Sequence, residues 1–256
     1  MAAALHRVVD GEGRHRVVLV HGFTQTLRSW DRLAAPLAGA FEVVRVDLPG
    51  HGGSAEVELT FEETAASIGE TGGRATYVGY SMGGRLCLRL AVDRPELVRS
   101  LVLVGASPGL ADDRERAARR AADEALAAEI ERTGTAAFLE KWLVQALFAT
   151  LDPQPEDLDA RLANTSAGLA TALRRLGTGG QEPLWGRLGA LEMPVLAVAG
   201  EHDVRYTDIA GQMVAAIGGN ARAAIVPGAG HAAHLERPEE FSRRLAGFLA
   251  AHPAAS

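Results

Sequence analysis

Apolar residues in this chain follow two rhythms. Six short runs, Arg16–Val20, 43–47, 76–80, 100–105, Val195–Gly200 and 223–226, are nearly continuous in Val, Leu and Ala and are bounded by Gly, Pro or Asp. Unbroken apolar runs of this length predict strands covered on both faces, as in a parallel sheet. A weaker edge strand is expected at 5–9. Between the runs, residues 29–38, 60–68, Met82–Asp93, 203–217 and Pro238–Ala251 carry apolar positions at helical spacing. The alternation predicts an α/β fold with a mostly parallel central sheet flanked by helices.

The middle of the chain breaks this alternation. Residues 110–186 contain no strand-like run, and the pattern predicts helices over 112–132, 135–150 and 157–176. The first is rich in Ala, Glu and Arg, which favours helix. The expected organisation is a core formed by 1–109 and 187–256, with 110–186 as a helical lid inserted at the carboxyl edge of the sheet.

Composition narrows the function classes. At 256 residues the chain is long enough for a sizeable core, and 47% hydrophobic with 23% charged residues is ordinary for a globular protein. A net charge of −6 gives no basic excess to draw nucleic acid or an anionic membrane. No run of about 18 apolar residues predicts a membrane span, and residues 1–6 do not form the apolar stretch of a signal peptide. A cytoplasmic protein, monomeric or a small homo-oligomer, is expected. The single cysteine, Cys87, allows no internal disulfide and falls inside a predicted helix, where a small buried hydrophobe is expected.

The chemistry gathers at strand ends. Gly79-Tyr80-Ser81-Met82-Gly83 stands between a predicted strand and a predicted helix, the context of a nucleophile elbow. The turn there is too tight for side chains at the flanking glycines, and it sets the Ser81 hydroxyl at the positive end of a helix. His231 follows the last strand and supplies an imidazole able to take and return a proton near neutrality. Asp203 follows Val195–Gly200 and supplies a carboxylate to orient that imidazole. Loops at the carboxyl ends of parallel strands converge on one crevice. The backbone N–H groups of Phe23, in His21-Gly22-Phe23, and of Met82 are the expected oxyanion donors.

Plainer readings stand beside these. His231 is also a candidate solvated or capping histidine, Asp203 a helix N-cap, Ser81 a turn residue and His21-Gly22 a simple tight turn. The runner-up base is His234 and the runner-up acid Glu201. No metal-ligand spacing is present in the sequence, and neither metal nor organic cofactor is expected.

These motifs, with Asp47-Leu48-Pro49-Gly50-His51-Gly52-Gly53-Ser54 and Gly228-Ala229-Gly230-His231, together resemble the α/β-hydrolase superfamily over nearly the whole chain. More narrowly, the 47–54 motif, the elbow through Gly84-Arg85, and Ser107-Pro108-Gly109-Leu110 are similar to the 2-succinyl-6-hydroxy-2,4-cyclohexadiene-1-carboxylate synthase family of menaquinone biosynthesis. That resemblance implies a lyase eliminating pyruvate from a small polycarboxylate, 2-succinyl-5-enolpyruvyl-6-hydroxy-3-cyclohexene-1-carboxylate, through Ser-His-Asp base catalysis without a cofactor. It also implies substrate contacts from Tyr80, Arg85, Arg119, Trp142, Phe148 and Arg161. Arg85 lies four residues after Ser81, on the same helical face. Arg119 has Arg114, Arg116 and Arg120 as neighbours, and periodicity leaves open which of them faces inward. Trp142 also reads as one half of an apolar pair with Phe138. The alternatives are a serine hydrolase (esterase, thioesterase or carbon–carbon bond hydrolase) of a carboxylate-bearing substrate, and a non-catalytic binding module on the same fold.

Overall fold

The computed structural model describes residues 4–252. Seven strands, β1 (Arg7–Asp10), β2 (Arg16–Val20), β3 (Glu42–Val46), β4 (Ala75–Tyr80), β5 (Val98–Val104), β6 (Val195–Gly200) and β7 (Ala221–Val226), form one sheet in the order β1-β3-β2-β4-β5-β6-β7. β1 pairs antiparallel with β3 at the edge, and every other pairing is parallel. The chain is thus an α/β protein with the mostly parallel sheet that its apolar runs predict.

Helices cover both faces. These are α1 (Asp31–Leu37), α2 (Phe61–Gly72), α3 (Met82–Asp93), α4 (Asp113–Thr133), α5 (Thr135–Trp142), α6 (Pro155–Leu162), α7 (Ser166–Leu176), α8 (Val204–Ile217), the short α9 (Ala233–Glu236) and α10 (Pro238–Ala251). The period-2 geometry of a strand splits its side chains between the two faces. Along β2, Val18 and Val20 join the core layer holding Leu86 and Leu90 of α3. Val17 and Leu19 join the opposite layer with Phe241, Leu245 and Phe248 of α10. β4, buried at every position, runs through the middle. Cys87 is buried in the first layer, where desolvation pushes its thiol pKa up.

The helices α4 to α7 all lie between β5 and β6 in the chain. Their apolar side chains make a small third cluster of Ala127, Ile130, Phe138, Leu169, Ala170 and Leu173, against which Phe23 and Trp142 pack.

Three predicted helices are interrupted. The predicted 29–38 helix opens with a 3-10 turn, Leu27–Trp30, capped by the Thr26 side chain. The predicted 135–150 helix ends at Trp142; Gln145 takes extended backbone (φ −64°, ψ 150°), and the chain resumes as a 3-10 turn at Ala146–Phe148. That reversal brings Leu147 and Phe148 to a cavity wall, so a tertiary demand overrides local propensity. The predicted 157–176 helix is two. Asn164 leaves the helix to accept from the Gly52 N–H and donate to the Thr24 carbonyl, both at 2.9 Å, and Thr165 caps α7 through the Gly168 N–H. Among the described residues no helix is long and apolar enough to cross a membrane.

Candidate active site

Ser81 is built into a tight strand-to-helix turn. It follows β4 directly, with φ +49° in a region that a side chain rarely adopts. Its N–H is held by the Val104 carbonyl of β5 at 2.8 Å, and its carbonyl accepts from Arg85 N at 3.0 Å in the first turn of α3. The turn closes only because Gly83 lacks a side chain: a Cβ there would lie 2.3 Å from the Val20 carbonyl oxygen. Strained backbone of this kind persists where the surrounding structure over-determines it, and it turns the Ser81 side chain outward from the end of the sheet.

The imidazole arrives from the loop after β7. His231 Nε2 is 3.2 Å from Ser81 Oγ, and Nδ1 is 2.7 Å from Asp203 Oδ2. A carboxylate only accepts, so Nδ1 is the donor, which leaves Nε2 free to accept the serine proton. Asp203, at the end of β6, also accepts the Tyr206 N–H through Oδ1 at 3.3 Å and caps α8. The catalytic and capping readings of Asp203 therefore both hold, one on each oxygen.

The runners-up fall elsewhere. His234 is buried against Trp30 (ring centroids 4.3 Å apart) and Tyr80 (4.5 Å), and burial pushes its pKa down to about 3. Glu201 is occupied by the Gly228 N–H at 2.8 Å.

Ser81 and His231 open on a cavity of about 290 Å³. Phe23 and Met82 line it beside them. Met82 begins α3, so its N–H belongs to the first-turn amides that no helical carbonyl can take. Tyr80, Arg85, Arg119, Trp142 and Phe148 also line this cavity. Phe148 reaches within 6.1 Å of His231, centroid to centroid. Trp142 is both cavity wall and packing partner of Phe138, 5.5 Å away, and its indole N–H is buried without a partner among the described residues.

The arginines differ sharply. Arg85 is buried; its Nη1 donates to Gln181 Oε1 and its Nη2 to the Leu176 carbonyl, both at 2.8 Å, and its guanidinium faces the Phe61 ring. Burial pushes its pKa down to about 10, which leaves it charged at neutral pH. Arg119 is exposed and pairs with buried Asp123 at 2.7 Å. The resemblance places Arg161 at the substrate, but here it stands behind the wall rather than on it. Its guanidinium is buried and donates to Thr24 Oγ1.

Several residues escaped the sequence reading. Tyr206 lines the cavity with its ring 4.6 Å from that of His231. Its place one helical turn after the Asp203 cap was the available signal. Gln181 had none, because nothing local ties it to Arg85, 96 residues away. The 47–54 motif proves to be a brace: Asp47 accepts the Leu27 N–H (2.8 Å) and the Gly53 N–H (2.9 Å) and meets His6 Nδ1 (2.7 Å). His21 Nε2 receives the Leu48 N–H at 3.0 Å.

Fold and site together define a class, and the chain belongs to the alpha/beta hydrolase family, whose profile matches residues 17–244. Within it, the chain is similar over most of its length to 2-succinyl-6-hydroxy-2,4-cyclohexadiene-1-carboxylate synthase of Serratia proteamaculans (strain 568): 34% identical over 242 residues, 91% of this chain and 92% of that one. The structure of MenH from S. aureus matches with a TM-score of 0.89 at 29% identity, covering 96% of this chain and 98% of that one. A malate-bound thermophilic esterase from Thermogutta terrifontis, 24% identical with a TM-score of 0.84 over 97% and 94% of the two chains, shares the fold.

Proposed function

We propose that this protein is a lyase that eliminates pyruvate from 2-succinyl-5-enolpyruvyl-6-hydroxy-3-cyclohexene-1-carboxylate to give 2-succinyl-6-hydroxy-2,4-cyclohexadiene-1-carboxylate. The observation that carries this reading beyond a generic serine hydrolase is Arg85. A buried guanidinium within the wall of the Ser81 cavity, bonded among the described residues only to neutral oxygens, calls for an anionic ligand. The similarity to named synthases over most of the chain points to the same reaction.

The residues divide the work as follows. His231, held by Asp203, draws the proton from Ser81 Oγ, and the serine oxygen removes the acidic ring proton of the substrate. The electron pair moves through the ring, and the carbon–oxygen bond to the enolpyruvyl group breaks. The departing enolate takes the proton held on His231 and becomes pyruvate, while Ser81 keeps the ring proton and is restored. The Phe23 and Met82 N–H groups and Arg85 stabilise the negative charge that develops. Arg119 acts on a substrate carboxylate from the cavity wall, and buried Arg161 adds its positive charge from behind that wall. Tyr80, Trp142 and Phe148 enclose the ring. Residues 110–186 serve as a lid over a core of 1–109 and 187–256.

Incubation of the protein with the cyclohexene substrate, coupled to lactate dehydrogenase for pyruvate and followed by absorbance for the cyclohexadiene, tests the reading. Equal amounts of the two products support it. Turnover of simple esters with no pyruvate release contradicts it and favours the hydrolase.

A further inference from the structure

The turn from α7 into Gln181 is more than a connection. A Cβ on Gly179 would lie 2.3 Å from Arg120 N, so this turn is seated directly on α4. Buried Asp123 receives both Arg119 Nε at 2.7 Å and the Gly179 N–H at 3.4 Å, and the Leu176 carbonyl receives Arg85. At its end Gln181 is 1% exposed, with Oε1 on Arg85 and Nε2 buried without a partner among the described residues.

The two arginines that line the cavity are thus treated in opposite ways. Arg119 has its charge balanced by a carboxylate. Arg85 is held by two neutral oxygens, and among the described residues no carboxylate lies within ion-pair distance of it. A glutamate at position 181 would occupy nearly the same volume and form a stronger, charge-assisted bond. It would also neutralise the cavity. The amide instead leaves two buried N–H donors, with their desolvation cost unrelieved.

We propose that Gln181 is a positioning and specificity residue: it holds the Arg85 fork at the cavity wall through a neutral oxygen, so that the arginine charge stays available to a ligand carboxylate. The identity of the natural substrate rests on the reading under Proposed function; the charge selectivity does not. Substitution by Glu gives Arg85 an internal counter-ion, stabilising the fold while spoiling the carboxylate site. A merely structural role for Gln181 moves stability and binding together.

Succinate and its neutral diamide, succinamide, serve as probes by isothermal titration calorimetry on the intact chain, alongside thermal unfolding. The wild type binds succinate at least about tenfold more tightly than succinamide. Gln181→Glu erases that preference with an unchanged or higher Tm, and in pyruvate release most of its loss falls in KM. Gln181→Ala lowers both the preference and the Tm. The proposal is overturned if the wild type shows no preference, if Gln181→Glu keeps it, or if Gln181→Glu loses it with a parallel fall in Tm. A wild type that prefers succinate but releases no pyruvate removes the functional reading and leaves this inference standing.

Discussion

Asp203 divides its carboxylate between His231, at 2.7 Å from Oδ2, and the first turn of α8, where Oδ1 accepts the Tyr206 N–H. One residue fixes both the tautomer of the imidazole and the start of the helix that carries Tyr206 to the cavity.

Substitution separates these tasks. Asn is as good an N-cap as Asp, whereas Ala costs about 1 kcal/mol at such a position. Asp203→Asn should leave unfolding stability near that of the wild type and lower kcat by about 10²–10⁴-fold, because an amide can present N–H to His231 and favour the wrong tautomer. Asp203→Ala should lower both. Steady-state pyruvate release and urea unfolding on the two variants check this; equal stability losses would deny the cap its role.

Arg85→Ala should reduce kcat/KM for the polycarboxylate by about 10²-fold or more while sparing any turnover of neutral esters. A hydrogen bond to a charged group contributes about 1.5–3 kcal/mol, and here the charge is also desolvated. Lysine should restore little, since its point charge cannot span the two oxygens that the Arg85 fork now meets. Parallel assays on the cyclohexene and on a p-nitrophenyl ester decide; equal loss on both would mean that Arg85 serves the fold alone.

Stability should fall in mild acid for a traceable reason. Burial pushes the pKa values of His51 and His234 down to about 3 from 6.5. Folded, both stay neutral; unfolded, both take up protons once the pH drops below 6.5. The unfolded state then binds more protons, so the stability these groups contribute is complete above pH 6.5 and is lost progressively as pH falls toward 3. Each adds a slope of about 1.4 kcal/mol per pH unit in that window. Urea midpoints at intervals from pH 7 to 4 measure it. His234→Phe, which suits a pocket walled by Trp30, Tyr80 and Phe241, should remove about one proton from the slope. An unchanged slope would contradict this assignment.

How far the sequence carried these conclusions depends on the range of the interaction. The five interior strands were legible because each is covered on both faces and needs an unbroken apolar run. β7 kept an apolar run although it lies at the sheet edge and is only partly covered, and Ser81, Asp203 and His231 were legible because each follows the end of a strand. The helices between β5 and β6 were legible in kind but not in their breaks. Nothing near Asn164 announces that its amide is needed by Gly52 and Thr24, more than a hundred residues earlier. The arginines show the same limit. Arg85 was tied to Ser81 by helix geometry, whereas the burial of Arg161 against Thr24 depends on a contact across 137 positions. Gln181 was invisible for the same reason.

The central claim is that the Ser81 oxygen acts as a base and forms no covalent intermediate. Rapid-quench mixing of excess wild-type protein with the cyclohexene, read by intact-protein mass and by pyruvate, should show pyruvate formed in a single exponential with no adduct on the protein, and Ser81→Ala slower by about 10³-fold or more. An adduct on Ser81 that forms and decays at the rate of turnover, or a Ser81→Ala protein as fast as the wild type, would contradict it.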